Sequence, residues 1–428
     1  MSGRSDSKIP VSIPPMKPLK APFRLPEEWY RKNVMCLQAR LEENGLDGII
    51  LENVWNIIYF SGLFHTQTER PLWLFIPTRG EPVFFHPALD RDLIDNWWIK
   101  DTEWYFDYPH HGGYNKVVYE PGPPQDLLQW MLISLAQRGF TRATLGIEAE
   151  VGPSVEARMR TALPGATFKV AGDICFRMRL IKTPEEIALL QKALDLQDHL
   201  LEYARAFILE HGTGVTDFEV ELEIRRYATH KLMKLIRPDG RPHNGVGIFI
   251  GVSCRAGVST AYPHPNQFYY HKIERGDAIQ IAGWVHIGGY EGECYRAIQT
   301  CPMTELQKKT WRIHTEMTRL QAELSRAGSR CNEIACQTLK VARDAGLEKF
   351  IYHRPAHGIG MEGHQDPCLS PGDETVLQGG MVLSNEPGLY NPEEGWGYTH
   401  SNTVLVGQGK GTLLSRTPMT EEWCWLEI

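Results

Sequence analysis

Residues 353–367 read HRPAHGIGMEGHQDP, and residues 384–390 read SNEPGLY. With two upstream segments, AYPHPN and GGYEGECYR, they concentrate histidine and glutamate in the second half of the chain. The candidate functional residues in these four segments are His264, Glu293, His353, His357, His364 and Glu386. Imidazoles and carboxylates at strand ends and glycine-rich turns suit either general acid–base catalysis or metal ligation. Their spacing alone does not decide between the two.

The surroundings of these segments predict an α+β region. Beyond about residue 178 the pattern is a long helix starting near Pro184, a second helix and strands such as AIQIAGWV. Two helices at residues 304–328 and 332–346 follow, and then further strands. Helices covering one side of a mainly antiparallel sheet describe this order, so we predict an α+β domain over residues 179–428.

The first half of the chain has a different rhythm. Apolar runs such as GIILEN, WLFIP and PVFFHP are separated by helical segments, which is typical of an α/β domain. We place this domain at residues 26–178. Residues 1–25 are rich in proline and lysine and have little apolar periodicity, so we predict an extended arm there.

Composition excludes several classes of protein. The 428 residues are 42% hydrophobic and 23% charged, as in folded globular proteins, and form about two or three domains. The net charge of −7 argues against a nucleic-acid partner. No apolar stretch is long enough to suggest a membrane span. The nine cysteines form no C-x-x-C pair, so we expect reduced thiols and a cytoplasmic location.

The motifs quoted above, in their order and spacing, resemble those of the creatinase and Xaa-Pro aminopeptidase family. The resemblance extends over roughly residues 27–428 and includes the link RLIKTPEEI at residues 179–187. It implies a creatinase-type N-terminal α/β domain followed by a catalytic domain with the α+β pita-bread fold.

Two metal-ligand positions of the family are altered in this chain. Family peptidases bind two metal ions through two Asp, one His and two Glu. Here Ala282 stands at the first Asp position, Glu293 at the second and Ser401 at the last Glu, while His357 and Glu386 are kept. A pair of divalent ions needs bridging carboxylates, so we expect no metal and no other cofactor. The alternative is one ion at Glu293, His357 and Glu386, aided by His400.

The resemblance then implies a metal-independent hydrolase that cleaves a C–N bond of a small zwitterion, as creatinase and ectoine hydrolase do. The implied catalytic residues are His264, which activates water, with His357 and His364. The implied substrate-binding residues are Glu293, Glu386, His353, Tyr390 and Arg70. Arg70 would reach the substrate carboxylate of a neighbouring subunit, which predicts a homodimer.

Other interpretations stay open at this point. They are a metal-dependent Xaa-Pro aminopeptidase or dipeptidase with a degraded metal site, a lyase acting on a sulfonium zwitterion, and a non-catalytic binding module. Arg70 could instead pair with Glu69 at the surface. Glu293 could be solvated, with Glu291 or Tyr295 facing the pocket in its place.

Overall fold

The apolar runs of the first half form a single sheet in the computed structural model, which describes residues 23–65, 67–106, 126–235, 247–264 and 270–428. The predicted arm at residues 1–25 lies almost wholly outside these ranges. The chain divides into two compact units, and the change from one to the other falls between Arg179 and Leu180. Within the described ranges, no helix combines the length and apolar character needed to cross a membrane.

The N-terminal unit is an α/β structure, as predicted. Its strands are β1 (Gly48–Leu51), β2 (Trp73–Pro77), β3 (Val83–Pro87), β4 (Asp101–Tyr105), β5 (Thr144–Ile147) and β6 (Thr167–Val170). Its helices are α1 (Glu27–Glu43), α2 (Val54–Ser61), α3 (Arg91–Asp95), α4 (Leu127–Leu135), α5 (Pro153–Ala162) and α6 (Gly172–Leu180).

The sheet of this unit has the order β4-β3-β2-β1-β5-β6. Strand β2 runs antiparallel to both of its neighbours, and the other pairs are parallel. Strands β1, β2 and β3 are buried along their whole length, which explains why their sequences are continuous apolar runs. Part of the core lies between this sheet and the packed helices α4 and α5.

The C-terminal unit is α+β, with a large sheet and long helices. Its first strands are β7 (Phe249–Ala256), β8 (Ala278–Ile287), β9 (Tyr290–Thr300), β10 (Ala356–Gly358), β11 (Gln365–Leu369) and β12 (Val382–Asn385). The later strands are β13 (Gly388–Asn391), β14 (Trp396–Thr399), β15 (Ser401–Leu405), β16 (Thr412–Leu413) and β17 (Trp425–Leu426). The helices are α7 (Pro184–His211), α8 (Asp217–Leu235), α9 (Glu305–Leu324), α10 (Cys331–Asp344) and α11 (Glu421–Cys424).

The large sheet has nine strands, with the main order β11-β10-β12-β15-β9-β8-β7. The hairpin β13-β14 is a separate two-stranded sheet. Helix α7 begins with a capping box between Thr183 and Glu186 and with Pro184 in its first turn. It packs across β8 and β9, where Gly283 lacks a side chain and leaves room for Gln197.

One buried arginine fastens a distant segment to the back of β9. The Arg296 side chain is 1% exposed and donates hydrogen bonds to the carbonyls of Thr417, Pro418 and Ser401. It also donates to Asn402. Among the residues that the structure describes, no carboxylate pairs with this cation, and several carbonyl dipoles stabilise it. All nine cysteines are free thiols, as expected.

Candidate active site

A cavity of about 790 Å³ in the C-terminal unit brings most of the predicted site residues together. The predicted residues in its lining are His264, Glu293, His353, His364, Glu386 and Tyr390. His357 lies just beneath the lining and is 1% exposed. Loops and strand ends from across the large sheet therefore converge on one space, although their residues are far apart in the sequence.

Glu293, His357 and Glu386 form the innermost group. Each offers one potential ligand atom, and these three atoms lie within 4.8 Å of one another. The Nδ1 of His357 lies 3.0 Å from the carbonyl of Gly358 and is assigned as the donor, which leaves Nε2 facing the carboxylates. Nε2 lies 3.2 Å from Oε1 of Glu386, without the alignment of a hydrogen bond. Such a contact is favourable only when a proton or another cation lies between the two atoms.

The charges of this group are strongly coupled. Burial lowers the pKa of His357, but the adjacent Glu386 outweighs it and raises the pKa to about 9. Burial raises the pKa of Glu386, and His357 more than offsets this, so the net shift is downward. Burial and the nearby charge of Glu386 raise the pKa of Glu293 to about 7. Glu386 is therefore ionised at neutral pH, and Glu293 is only partly ionised.

Two hydroxyl groups hold Glu293 in place. Oε1 accepts hydrogen bonds from Ser384, at 2.8 Å, and from Ser401, at 2.5 Å. Glu293 is 2% exposed and lines the inner wall of the cavity. Ser401 contacts Glu293 because β15 pairs with β9 at this point, with Ser401 opposite Tyr295.

His364 stacks on His357. The ring centroids are 3.7 Å apart and the planes are inclined by 17°. Burial lowers the pKa of His364, and the adjacent His357 lowers it further. The pair thus combines a charged imidazole with a neutral one. The neutral ring of His364 can accept a proton in the cavity.

A hydrogen-bonded chain fixes His353. Nδ1 of His353 lies 2.7 Å from the carbonyl of Arg354, and Nε2 lies 3.0 Å from the hydroxyl of Tyr390. The same hydroxyl lies 2.5 Å from Thr399. Burial raises the pKa of Tyr390, so the hydroxyl keeps its proton and can donate it to His353 or to a ligand.

His264 is exposed at the cavity surface. Arg255, which the sequence analysis did not single out, donates hydrogen bonds to the carbonyls of Tyr262 and Pro263 and so anchors the turn before His264. The only sequence signal for Arg255 is a charged residue within the otherwise uncharged strand segment VSCRA. Ser384 was missed too, because its contact with Glu293 depends on strand pairing.

The alternatives considered for Glu293 prove not to exclude one another. Glu291, Glu293 and Tyr295 all line the cavity, because every second residue of a strand points to the same face. The alternative in which Glu293 is solvated and Glu291 or Tyr295 takes its place is therefore wrong, because Glu293 is buried and lines the cavity with them. Glu291 has its own partner, His286, at 3.1 Å.

His400 does not contribute to the ligand group, contrary to the alternative in which it aids a single ion. Its Nδ1 accepts a hydrogen bond from the backbone of Ala297, and its ring packs against His314 and Trp311. It lies next to Ser401 on the strand and points the other way, so alternation along the strand removes it from the ligand group. A metal role for His400 is excluded by this orientation.

Arg70 belongs to the N-terminal unit. Its guanidinium lies 2.7 Å from Glu69, as in the alternative reading of this loop. Arg70 is 24% exposed in its side chain, so this pairing alone contributes little to stability. Its role at the substrate of a second subunit stays a prediction.

The residues present fit one metal ion and not two. Ala282 faces the cavity where a second carboxylate would be needed, opposite Tyr295, and Ser401 donates a hydrogen bond instead of offering a charge. Glu293, His357 and Glu386 are nevertheless a three-ligand set of the kind found in mononuclear sites. The buried Nε2 of His357, which faces the two carboxylates, is compatible with such an ion.

The fold and this cavity define a hydrolase with the pita-bread architecture. The chain belongs to metallopeptidase family M24, whose model matches residues 188–408, and residues 35–181 match the Creatinase/Prolidase N-terminal domain. The family and fold predicted from the sequence are thus confirmed.

Individual relatives include both peptidases and a creatinase. An Xaa-Pro dipeptidase from Pyrococcus furiosus is 29% identical over 274 residues, covering 64% of this chain and 74% of the relative. A creatinase from a Bacillus species is 24% identical over 397 residues, covering 90% of each chain. The structure of dipeptidase PepE from Mycobacterium ulcerans has a TM-score of 0.74 at 21% identity, covering 92% of this chain and 98% of that one.

Proposed function

We propose that this chain hydrolyses a carbon–nitrogen bond of a small zwitterionic nitrogen compound, creatine-like or ectoine-like, without a metal ion. The observation that carries this proposal is the environment of Glu293. Two serine hydroxyls donate to its carboxylate, and the neighbouring Ala282 offers no charge, so the site lacks the anions that two divalent ions require.

In this proposal the two carboxylates bind a cationic group of the substrate in place of a metal ion. Glu386 is ionised beside His357, and Glu293 lies within the same group. A guanidinium, amidinium or ammonium group binds such carboxylates through charge-assisted hydrogen bonds. The substrate nitrogen is held in this way next to the bond that breaks.

The histidines move the protons. His264 removes a proton from water as the water oxygen forms a bond to the substrate carbon and the C–N bond breaks. His264 then donates that proton to the leaving nitrogen, and His364, stacked on His357, is a second imidazole of the cavity that can accept a proton. His353 and Tyr390, which are hydrogen-bonded to each other, bind the substrate without exchanging a proton with the reacting bond.

A second candidate is an Xaa-Pro dipeptidase that uses one metal ion. Most of the relatives reported above are dipeptidases, so the comparisons favour this function over the creatine-like one. The observation in its favour is the Nε2 of His357, which faces Glu293 and Glu386 as a ligand would. When bound, a divalent ion there supplies polarisation of a carbonyl and a lowered pKa for water.

Elemental analysis of the purified enzyme separates the two candidates. The metal-free hydrolase contains no stoichiometric transition metal, and chelation leaves its turnover of creatine, ectoine or a related zwitterion unchanged. The dipeptidase contains one ion per chain and cleaves Xaa-Pro dipeptides only with manganese or cobalt. Failure to turn over any of these compounds under either condition favours a non-catalytic binding module.

The proposed homodimer is tested separately. Analytical ultracentrifugation measures the oligomeric state, and mixing inactive His264→Gln with inactive Arg70→Gln tests whether active sites are shared. Recovery of activity in the mixture is expected if Arg70 acts across the interface. A mixture as inactive as its components contradicts that role.

A further inference from the structure

Arg255 lies far from Glu293 along the floor of the cavity, while the Asp217 carboxylate, which also lines it, accepts hydrogen bonds from the backbone of Ala256 and His271. In the sheet register, Arg255 of β7 is opposite Gln280 of β8, whereas Glu293 of β9 is opposite Trp284 of β8. Gln280 and Trp284 are four residues apart on β8. The residue pair that contains Arg255 is therefore about 13 Å along the strand from the pair that contains Glu293. Arg255 and Glu293 are also two strands apart, which adds a separation of about 10 Å across the sheet. Arg255 and Glu293 therefore do not neutralise each other.

The hydrogen bonds of Arg255 leave part of its guanidinium unused. Nη1 donates to the carbonyls of Tyr262 and Pro263, and Nη2 donates to the side-chain oxygen of Gln280. Over the described ranges, no carboxylate forms an ion pair with this residue. Burial lowers the pKa of Arg255, and the neighbouring Tyr390, Tyr295 and Cys254 offset this only in part. A largely buried cation of this kind is stabilised by an anion from outside the chain.

The strand residues between Arg255 and the glutamates are uncharged. Ser253 and Ala282 are paired across β7 and β8 in the intervening row, and Ala282 faces the cavity. Tyr295, paired with Ala282 across β8 and β9, also lines the cavity, so an elongated molecule between Arg255 and the glutamates would lie against its ring and meet no charged side chain of these three strands. Arg255 is thus separated from Glu293 and Glu386 by an uncharged stretch of the sheet.

We propose that Arg255 binds the carboxylate of the substrate, whose cationic nitrogen is bound by Glu293 and Glu386. The substrate class is then a zwitterion with its charges at opposite ends. This inference rests on the proposed function, since it assumes that the cavity holds a small substrate. It differs from the role predicted for Arg70, because Arg255 acts within its own subunit.

Matched ligand pairs test the inference. Creatine is compared with 1,1-dimethylguanidine, glycine betaine with choline, and alanylproline with its amide. Each pair keeps the cationic group and loses the carboxylate. Calorimetric titration of the wild-type protein should show binding about 10- to 100-fold tighter for at least one carboxylate member than for its partner, as expected for a hydrogen-bonded charge pair.

The Arg255→Gln variant should abolish this preference, and Arg255→Lys should keep part of it. Because Arg255 also anchors the turn before His264, a displaced turn would lower turnover equally for both members of a pair. The ratio of their affinities therefore isolates carboxylate binding. Arg225→Gln is the matched control, since Arg225 donates to carbonyls of the β7 segment and is not in the cavity lining.

The possible outcomes distinguish failure of the role of Arg255 from failure of the proposed function. A preference for the carboxylate that persists in Arg255→Gln, or that disappears only in Arg70→Gln, overturns the role of Arg255 and leaves the proposed function standing. Equal affinity for both members of every pair also overturns it. If no compound binds or is turned over by the wild-type protein, the proposed function and the inference both fail.

Discussion

The hydroxyl of Ser401 donates a hydrogen bond to Glu293, with 2.5 Å between Oγ and Oε1. A carboxylate at position 401 would repel Glu293 unless a cation lay between them. The hydroxyl removes that need and stabilises the carboxylate directly. Together with Ala282, this contact leaves the cavity with fewer carboxylates than a dinuclear metal centre requires.

Restoring the two missing carboxylates should create a metal pair. The double variant Ala282→Asp with Ser401→Glu is expected to bind two manganese ions per chain, whereas the wild-type protein binds one at most. The reason is that five carboxylate and imidazole ligands would then face one point. Elemental analysis after dialysis measures the stoichiometry, and each single variant is a control. Two ions in the wild-type protein would contradict our account of Ser401.

Glu386 should control the titration of His357. In chelator-treated protein, the His357 imidazole is expected to titrate near its pKa of about 9. In Glu386→Gln it should titrate at lower pH, because the stabilising negative charge is gone. Heteronuclear NMR of labelled histidine measures both values. An unchanged pKa in the variant would rule out the pair, and the conservative Glu386→Asp should retain most of the shift.

The same pair should make stability pH-dependent. A pKa raised from 6.5 to about 9 adds stability that is fully present below pH 6.5 and is lost as the pH rises through 9. The free energy of unfolding of the metal-free protein is therefore expected to fall over this range, and to fall less in His357→Gln. Urea denaturation at several pH values measures it. Identical slopes for the two proteins would contradict the prediction.

Removing the His264 imidazole should slow turnover and leave binding intact. We expect His264→Gln to lower kcat by about 10²- to 10⁴-fold with little change in KM, since the loss is that of a general base. Steady-state kinetics give both constants. His230→Gln, on the exposed end of α8, is the control and should behave like the wild type. A fall confined to KM would assign His264 to binding instead.

Gly283 should be intolerant of a side chain. A methyl group there would overlap the amide of Gln197, which is 1% exposed and donates to the carbonyl of Cys294. Overpacking of this kind costs about 1–3 kcal/mol of unfolding free energy. Gly372→Ala is the control, since nothing lies within 4 Å of that position. Equal melting temperatures for the two variants would contradict the prediction.

Much of the fold could be predicted from the sequence because its signals are local. The run WLFIP forms a strand with the predicted limits, Trp73–Pro77, and the helix at Pro184 begins where proline and the threonine cap place it. The motifs identified Glu293, His357 and Glu386 as candidate residues. The family resemblance implied that these three residues lie close together in the fold.

The unpredicted parts depend on strand register and side-chain direction. Arg255 and Ser384 meet the site only because their strands pair at particular residues, and such long-range pairing leaves no local mark. His400 was misassigned because its ring packs against His314 and not beside the carboxylates, a direction that its position next to Ser401 did not reveal. The shared face of Glu291 and Glu293 was available from the two-residue period alone.

Arg296 has a consequence for engineering this enzyme. Its side chain binds Thr417 and Pro418 on the rear of β9, while its neighbours Glu293 and Tyr295 face the substrate chamber in front. Strand β9 thus holds the segment around Thr417 on one face and presents the groups of the chamber on its other face. Loosening residues 415–418, though remote from the chemistry, would shift a reactive carboxylate, so selection for altered activity should recover substitutions there as well as in the chamber.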